Sequence, residues 1–161
     1  MQYRRLTTDE LQEMTTEFVH FLATNQVTAP EWEQLKRDGS PRVEELIEQF
    51  SELVFERILQ KVEYLEHRAP KDLRTYHCLP DKLVMLGLRV EGSSNLDFTK
   101  NESPELMLAQ MKLSEASLQL YRGEKAYEGP REHELFRMLE SGALISRDGA
   151  MYKLLEGLAP G

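Results

Sequence analysis

Cysteine is almost absent from this chain, whose 161 residues include one, Cys78. A single thiol cannot form an intramolecular disulfide, and it cannot hold a zinc ion without ligands of other residue types. The sequence also lacks any run of about 18 apolar residues, the length that a membrane-spanning helix needs. The opening residues MQYRRLTTDEL carry positive charge, but no apolar stretch follows them. We therefore expect a cytoplasmic protein with no membrane span and no exported form.

Basic residues are outnumbered by acidic ones, 20 to 28, and the net charge is −8. Such a charge repels phosphate backbones and anionic lipid headgroups, so nucleic acid is disfavoured as a partner. Apolar residues make up 40% of the chain, which is too much for a disordered protein. A chain of this length usually builds one core. We therefore predict a single globular domain over residues 1–161.

Helix signals dominate the first part of the chain. Thr7 followed by Glu10 is a capping box, a pair that marks the start of a helix. Pro70 marks the end of the longest helical pattern, because the residue before a proline avoids the helical region. Capping residues and apolar periodicity together predict three helices, over residues 8–25, 30–37 and 41–67.

The apolar period then changes to two, the period of a strand. Residues 73–79 and 82–91 predict an antiparallel hairpin with a tight turn between them. Gly87, inside the second strand, indicates a bulge or a group packed closely against the backbone. The polar segment 92–101 is predicted to be a mobile loop anchored by its two large apolar residues, Leu96 and Phe98.

The last third of the chain predicts two further helices and a second hairpin. The helices cover residues 103–123 and 130–142, and Asp148 with Gly149 predicts a hairpin over residues 143–155. A continuation of helix is the rival interpretation of that last segment. The predicted fold class is α+β: a mainly helical single domain of about five helices, with a long central helix and two small antiparallel hairpins.

Carboxylate and imidazole side chains follow one line of the long predicted helix, at three- and four-residue spacing: Glu52, Glu56, Gln60, Glu63 and His67. Such a line can ligate iron, manganese or zinc, and Glu56, Glu63 and His67 are the metal-ligand candidates. Helical two-metal sites need a glutamate and a histidine three residues apart on more than one helix. No second such pair occurs, so a solvent-exposed helix face is the competing interpretation.

His67, His77 and Cys78 are the catalytic candidates. Because His77 and Cys78 are neighbours in a predicted strand, their side chains should point to opposite faces, which argues against a direct dyad. A nucleophilic Cys78 would need His67 or His133 to be brought to it by the fold. An enzyme or metal-binding protein would have its site at the helix-to-strand junction, around Glu63, His67, His77 and Cys78.

Known catalytic motifs are missing: there is no Gly-rich phosphate loop, nucleophile elbow, HExxH or CxxC. A helix at residues 130–142 followed by a hairpin is the order found in winged-helix DNA binders, but the acidic residues of that helix would repel phosphate. The leading hypothesis is a non-enzymatic protein-interaction or regulatory module without a cofactor. The enzyme or metal-binding protein and the winged-helix nucleic-acid binder are the alternatives.

The long helix carries more apolar side chains than one stripe requires, so a protein partner or a second copy is expected to cover the surplus. We predict a homodimer, with the long helix or the LMLAQM segment of the next helix at its interface. The positions predicted to be core or interface are Leu53, Phe55, Ile58 and Leu59.

Four segments together resemble a family of uncharacterised bacterial proteins, a domain of unknown function. They are YRRLTTDELQEM, VFERILQKVEYLEHRAPKDLRTYHC, LVMLGLRVEG and NLDFTKNESPE, and the resemblance covers most of the chain. It implies a bacterial, single-domain, cytoplasmic protein. No assigned catalytic residue comes with it.

Overall fold

The structure, a computed structural model, describes residues 1–92, 96–100, 102–113 and 117–158. In these ranges the chain has seven helices and five strands. It divides into two compact units, Met1–Gln60 and Lys61–Gly161. The expectation of one domain over the whole chain stays a prediction. Within the described ranges, none of the helices combines the length and apolarity that a membrane crossing requires.

The N-terminal unit is helical. Its helices are α1 (Thr8–Glu13), α2 (Thr15–Thr24), α3 (Ala29–Arg37) and α4 (Pro41–Lys61). The predicted capping box is confirmed: the Thr7 hydroxyl accepts a hydrogen bond from the Glu10 N–H at 3.2 Å, and the Glu10 carboxylate accepts one from the Thr7 N–H at 2.8 Å. Thr28 caps α3 with its hydroxyl, which accepts a hydrogen bond from the Glu31 N–H at 3.2 Å. Gly39 follows α3 with a φ of 62°, as expected after a helix end.

The prediction of one helix over residues 8–25 is wrong, because the chain breaks at Met14 into α1 and α2. Met14 has φ −112° and ψ 28°, outside the helical region. Beside it the Thr15 hydroxyl donates to the Gln12 carbonyl at 2.7 Å. A side chain that competes for a backbone acceptor weakens the helix at that point.

Two apolar clusters that share Phe18 and Phe21 form the core of the N-terminal unit. One contains the buried residues Leu6, Phe50 and Val54, and the other contains Leu22, Val27 and Leu46. The centroid of the Phe18 ring lies 5.0 Å from that of the Phe50 ring and 5.2 Å from that of the Trp32 ring. Aromatic packing therefore joins α2, α3 and α4.

The four positions of α4 predicted to be core or interface differ in their burial. Leu59 is fully buried, and Leu53 and Phe55 are half-buried. Ile58 is 42% exposed. Ile58 is therefore not a core residue of this chain, and a partner interface is the role left open for it.

The C-terminal unit is built on one antiparallel sheet of five strands, in the order β4-β3-β2-β1-β5. Its elements are β1 (Tyr64–Ala69), β2 (Asp72–Cys78), β3 (Lys82–Glu91), α5 (Pro104–Leu113), β4 (Ser117–Ala126), α6 (Arg131–Glu140), β5 (Leu144–Ser146) and α7 (Ala150–Leu158). The α+β class and the β2–β3 hairpin are confirmed. The expectation of about five helices and two small hairpins is only partly met.

The long helix ends at Lys61, so its predicted extension to His67 is wrong. The following residues form β1, which pairs with β2 across a turn at Pro70 and Lys71. Pro70 is a favoured turn residue here and does not end a helix. The apolar spacing that includes Leu65 fits a helix as well as a strand, and a short segment of this kind is ambiguous in sequence.

The predicted helix over residues 103–123 is also wrong beyond Leu113. Residues 114–116 lie outside the described ranges, and residues 117–126 form β4, which pairs with β3 along its whole length. Gly123 therefore lies inside a strand and does not end a helix. Pairing with β3 decides this structure, and local sequence preference does not reveal such pairing.

The predicted hairpin over residues 143–155 is wrong as well, and the rival helical interpretation is correct for its second half. β5 pairs with β1, and α7 begins at Ala150. The Asp148 carboxylate accepts a hydrogen bond from the Ala150 N–H at 3.1 Å, so Asp148 serves the start of a helix. The winged-helix alternative thereby loses the hairpin on which it depended.

The predicted mobile loop falls partly on residues 93–95 and 101, which lie outside the described ranges. Its two apolar anchors are confirmed, since Leu96 and Phe98 are buried. The Phe98 N–H donates to the Pro70 carbonyl at 3.1 Å, and the Lys71 ammonium donates to the Leu96 carbonyl at 2.6 Å. These bonds attach the loop to the β1–β2 turn.

Helices α5 and α7 pack on one face of the sheet. The cluster includes Leu73, Val84, Leu86, Leu88 and Val90 from the sheet, and Met107, Met111, Met151, Tyr152 and Leu155 from the helices. The close packing predicted at Gly87 is confirmed, because a Cβ atom there would lie 2.1 Å from the Tyr121 ring.

We expect Gly149→Ala to lower the free energy of unfolding by about 2 to 4 kcal/mol. Gly149 has a φ of 65°, and a Cβ atom would lie 2.6 Å from the Tyr64 ring. Chemical denaturation measures the effect. Gly129→Ala is the control, because a Cβ atom at Gly129 meets nothing within 4 Å. Equal stability of the two variants would contradict the packing described for Gly149.

Candidate functional site

The candidates at the helix-to-strand junction lie apart. His67 is exposed on β1, opposite Arg74 of β2. Arg74 is four residues from Cys78, a separation of about 13 Å along a strand. His67 is therefore well separated from Cys78. His77 and Cys78 point to opposite faces of β2, as predicted. Glu63 is exposed, and its backbone carbonyl accepts a hydrogen bond from the Cys78 N–H at 2.8 Å.

The metal candidates do not share a helix, because α4 ends before Glu63 and His67. Glu56 lies on α4, where its carboxylate accepts hydrogen bonds from the Tyr3 hydroxyl at 2.5 Å and the Gln60 amide at 3.3 Å. In the described ranges no group of three or more His, Cys, Asp or Glu side chains is placed to hold a metal ion. The metal hypothesis has lost its helical geometry and stays an untested prediction.

Cys78 is a buried residue of β2, and burial raises the pKa of its thiol to about 12, against the opposing effect of the Arg131 charge. A thiol with such a pKa is protonated at neutral pH, and the protonated form is a poor nucleophile. The environment of Cys78 is therefore that of a structural cysteine. His133, the other histidine considered for it, lies on α6.

Arg131, at the start of α6, binds backbone carbonyls near Cys78. Its guanidinium donates to the carbonyls of Cys78 at 3.0 Å and Leu79 at 3.2 Å, and also to that of Val62. The Tyr127 hydroxyl donates to the Leu79 carbonyl at 2.7 Å. Together these bonds satisfy acceptors at the end of β2 and fix the start of α6 there.

On the face of the sheet opposite to Cys78, His77 packs between two tyrosines. Its ring stacks on the Tyr64 ring, with 4.7 Å between the centroids and 14° between the ring planes. The centroid of the Tyr152 ring lies 5.4 Å from that of His77. Burial is the main cause that raises the pKa of Tyr152. The Lys153 ammonium lies 5.6 Å from the centroid of the Tyr64 ring. His77 thus serves as an aromatic packing residue between β1 and α7.

The N-terminal unit contains a groove of about 700 Å³ between α2 and α4, which we call the α2–α4 groove. Its apolar lining consists of Met14, Phe21, Phe50, Leu53, Val54 and Ile58, and its polar lining consists of Thr16, Glu17, His20, Thr24 and Arg57. A mostly apolar groove with a few polar groups is the usual form of a binding site, and the volume lies in the usual range.

Charged and imidazole side chains stand at the rim of the α2–α4 groove. Glu17 and His20 belong to α2, and Arg57 belongs to α4. All three are exposed, and their side chains make no hydrogen bond or ion pair with another residue in the described part of the chain. The groove therefore presents an apolar lining with the carboxylate of Glu17 on its α2 side and the guanidinium of Arg57 on its α4 side. A ligand can bind these polar groups.

Sequence periodicity does not identify this groove. Met14 and Phe21 fit an ordinary core stripe, and Glu17 and His20 fit a solvent-exposed one. The signal that does point to it is the wide apolar face predicted on α4, which includes Ile58.

We expect the stability contributed by Cys78 to disappear in alkaline solution. The thiol pKa is raised from 9.0 to about 12 in the folded chain, so folding favours the protonated thiol. This contribution is complete below pH 9 and is lost as the pH rises to about 12. Urea unfolding of the wild type and Cys78→Ser should therefore give a free-energy difference that shrinks over this interval. A difference that stays constant with pH would contradict the buried thiol.

Comparison with known proteins identifies a family. No curated protein and no solved structure matches the chain. The model of a family of unknown function, DUF6495, matches residues 1–159. The uncharacterised family inferred from sequence is thus confirmed, while a bacterial origin is not tested by this match. The chain belongs to this family of unknown function, DUF6495.

Proposed function

We propose that this chain is a non-enzymatic protein-interaction module that binds an amphipathic helix of a partner protein in the α2–α4 groove. The observation that carries the proposal is an apolar groove whose wall includes Ile58, a large apolar residue that is 42% exposed. Exposed apolar surface within a concave site is typical of interaction surfaces.

The length of the α4 wall suits a helix as the ligand. The α4 residues that line the groove form one face of this helix: Phe50, Leu53, Val54, Arg57 and Ile58. Eight residues of helix rise about 12 Å, so the groove is long enough for about two turns of a partner helix. A helix of this length places apolar residues at positions i, i+3 or i+4, and i+7 into such a groove.

The charges at the rim would select the direction of the bound helix. Glu17 on one wall suits a lysine or arginine of the partner, and Arg57 on the other suits an aspartate or glutamate. Opposite charges on the two sides favour one orientation over its reverse, since the reversed helix would place like charges together.

The proposal includes the reducing cytoplasm of a bacterium as the setting and a homodimer as the state of the protein. A buried, unpaired thiol at Cys78 supports a reducing compartment. The resemblance to uncharacterised bacterial proteins supports the source. The 48% exposed side chain of Leu106, in the LMLAQM segment, supports association.

Ile58→Glu should abolish binding of the partner helix and leave the fold intact. The substitution places a charge in the apolar groove, and because Ile58 is already exposed the free energy of unfolding should change by less than about 1 kcal/mol. Partners are captured from cells with the wild type and identified by mass spectrometry. Binding of a synthetic helix from each partner is then measured by fluorescence anisotropy.

Val19→Glu is the matched control, since Val19 is 57% exposed on α2 and does not line the groove. A helix that binds the groove should bind Val19→Glu as it binds the wild type. If Ile58→Glu binds the same helix with unchanged affinity, the groove is not the binding surface and the proposal fails.

A further inference from the structure

The outer edge of β4 is a second surface with unused binding capacity, independent of the α2–α4 groove. β4 is the terminal strand of the sheet and has ten residues, all paired on one side with β3. No other strand in the described ranges pairs with its opposite side. In an antiparallel ladder, alternate residues of such a strand direct their N–H and C=O groups outward, where another strand can bind them.

The charges of β4 are self-complementary about Gly123. Arg122 precedes this glycine and Glu124 follows it, and both side chains are on the same face of the strand because they are two residues apart. If two copies of β4 pair antiparallel with Gly123 opposite Gly123, each Arg122 lies opposite the Glu124 of the other copy. The same register pairs Leu120 with Ala126.

The neighbouring registers are unfavourable. A shift of the centre by one residue puts two copies of Arg122 opposite each other, or two copies of Glu124. Like charges at directly opposite positions destabilise a strand pair, and opposite charges stabilise it. Among the registers that keep Arg122 and Glu124 of both copies on one face of the sheet, the charge pattern therefore favours this one over its two neighbours.

The side chains of this pair are available at the edge. Arg122 and Glu124 are bound to each other at 3.0 Å within the strand, and their side chains are 58% and 34% exposed. Glu124 also accepts from Lys82 at 2.7 Å, and the two cations lower its pKa, so it is charged at neutral pH. Gly123 between them has no side chain to obstruct a second strand.

We propose that a second copy of this chain pairs with β4 about Gly123, so that two five-stranded sheets join into one sheet of ten strands. The alternative is that the charges on β4 only protect the edge from association, as charges on edge strands commonly do. The two hypotheses predict different effects of reversing one of these charges. Protection of the edge depends only on the presence of charge, whereas self-pairing depends on the sign of each charge.

The experiment measures association of the full chain by sedimentation and native mass spectrometry from about 1 µM to about 1 mM, the range of weak to moderate affinities. R122E leaves two carboxylates on β4, and E124R leaves two guanidinium groups. Each variant alone should dimerise at least about tenfold more weakly than the wild type, because each meets its own like charges across the two-fold axis. A mixture of the two should form a heterodimer, and the double variant R122E/E124R should dimerise like the wild type.

R147E and E45R are the controls for net charge. Arg147 is exposed next to β5, at the opposite edge of the sheet, and Glu45 is exposed on α4. Both should dimerise like the wild type, and circular dichroism verifies that all variants are folded. A wild type that stays monomeric over the whole range overturns the proposal. A dimer that neither R122E nor E124R weakens, or a mixture without heterodimer, overturns it equally, and none of these results bears on helix binding by the groove.

Discussion

The hydrogen bonds of Arg131 are the interaction on which much of the C-terminal unit depends. Its guanidinium donates hydrogen bonds to the carbonyls of Val62, Cys78 and Leu79, near the start of β1 and the end of β2. Without it, the carbonyls of Val62 and Cys78 would each lose a charged donor, at a cost of about 1 to 3 kcal/mol. The Leu79 carbonyl would keep the hydrogen bond from the Tyr127 hydroxyl. The same contacts fix the start of α6. They also place a positive charge near the Cys78 thiol, although burial outweighs that charge and keeps the thiol neutral.

Elements fixed by local chemistry could be predicted from the sequence. The capping residue Thr7 and the alternation of β2 and β3 each act within a few neighbouring residues. The errors fall where the structure depends on distant partners. β1 becomes a strand because β2 and β5 flank it, and β4 because β3 offers it ten residues of pairing. The apolar residues of these segments fit helical spacing as well, so period alone could not decide between the two.

The candidate site was less predictable than the fold, for a related reason. Histidine, cysteine and glutamate were considered because of their chemistry, yet chemistry becomes a site only when side chains converge in space. His77 is part of an aromatic stack, and Cys78 is buried in β2. The α2–α4 groove arises from the opposite situation, since it consists of ordinary apolar residues whose importance is their incomplete coverage. The width of the apolar face of α4 was the one sequence feature that anticipated it.

The strand order has a consequence for how the chain folds during synthesis. β1, β2 and β3 are consecutive and form a meander from local contacts, whereas β4 and β5 are added to its two edges later in the sequence. α7, which covers one face with Met151 and Leu155, is made after both of them. A ribosome-bound chain that has emerged only as far as β3 therefore has two open strand edges and an uncovered apolar face. Such surfaces attract other chains and chaperones until the last elements are in place.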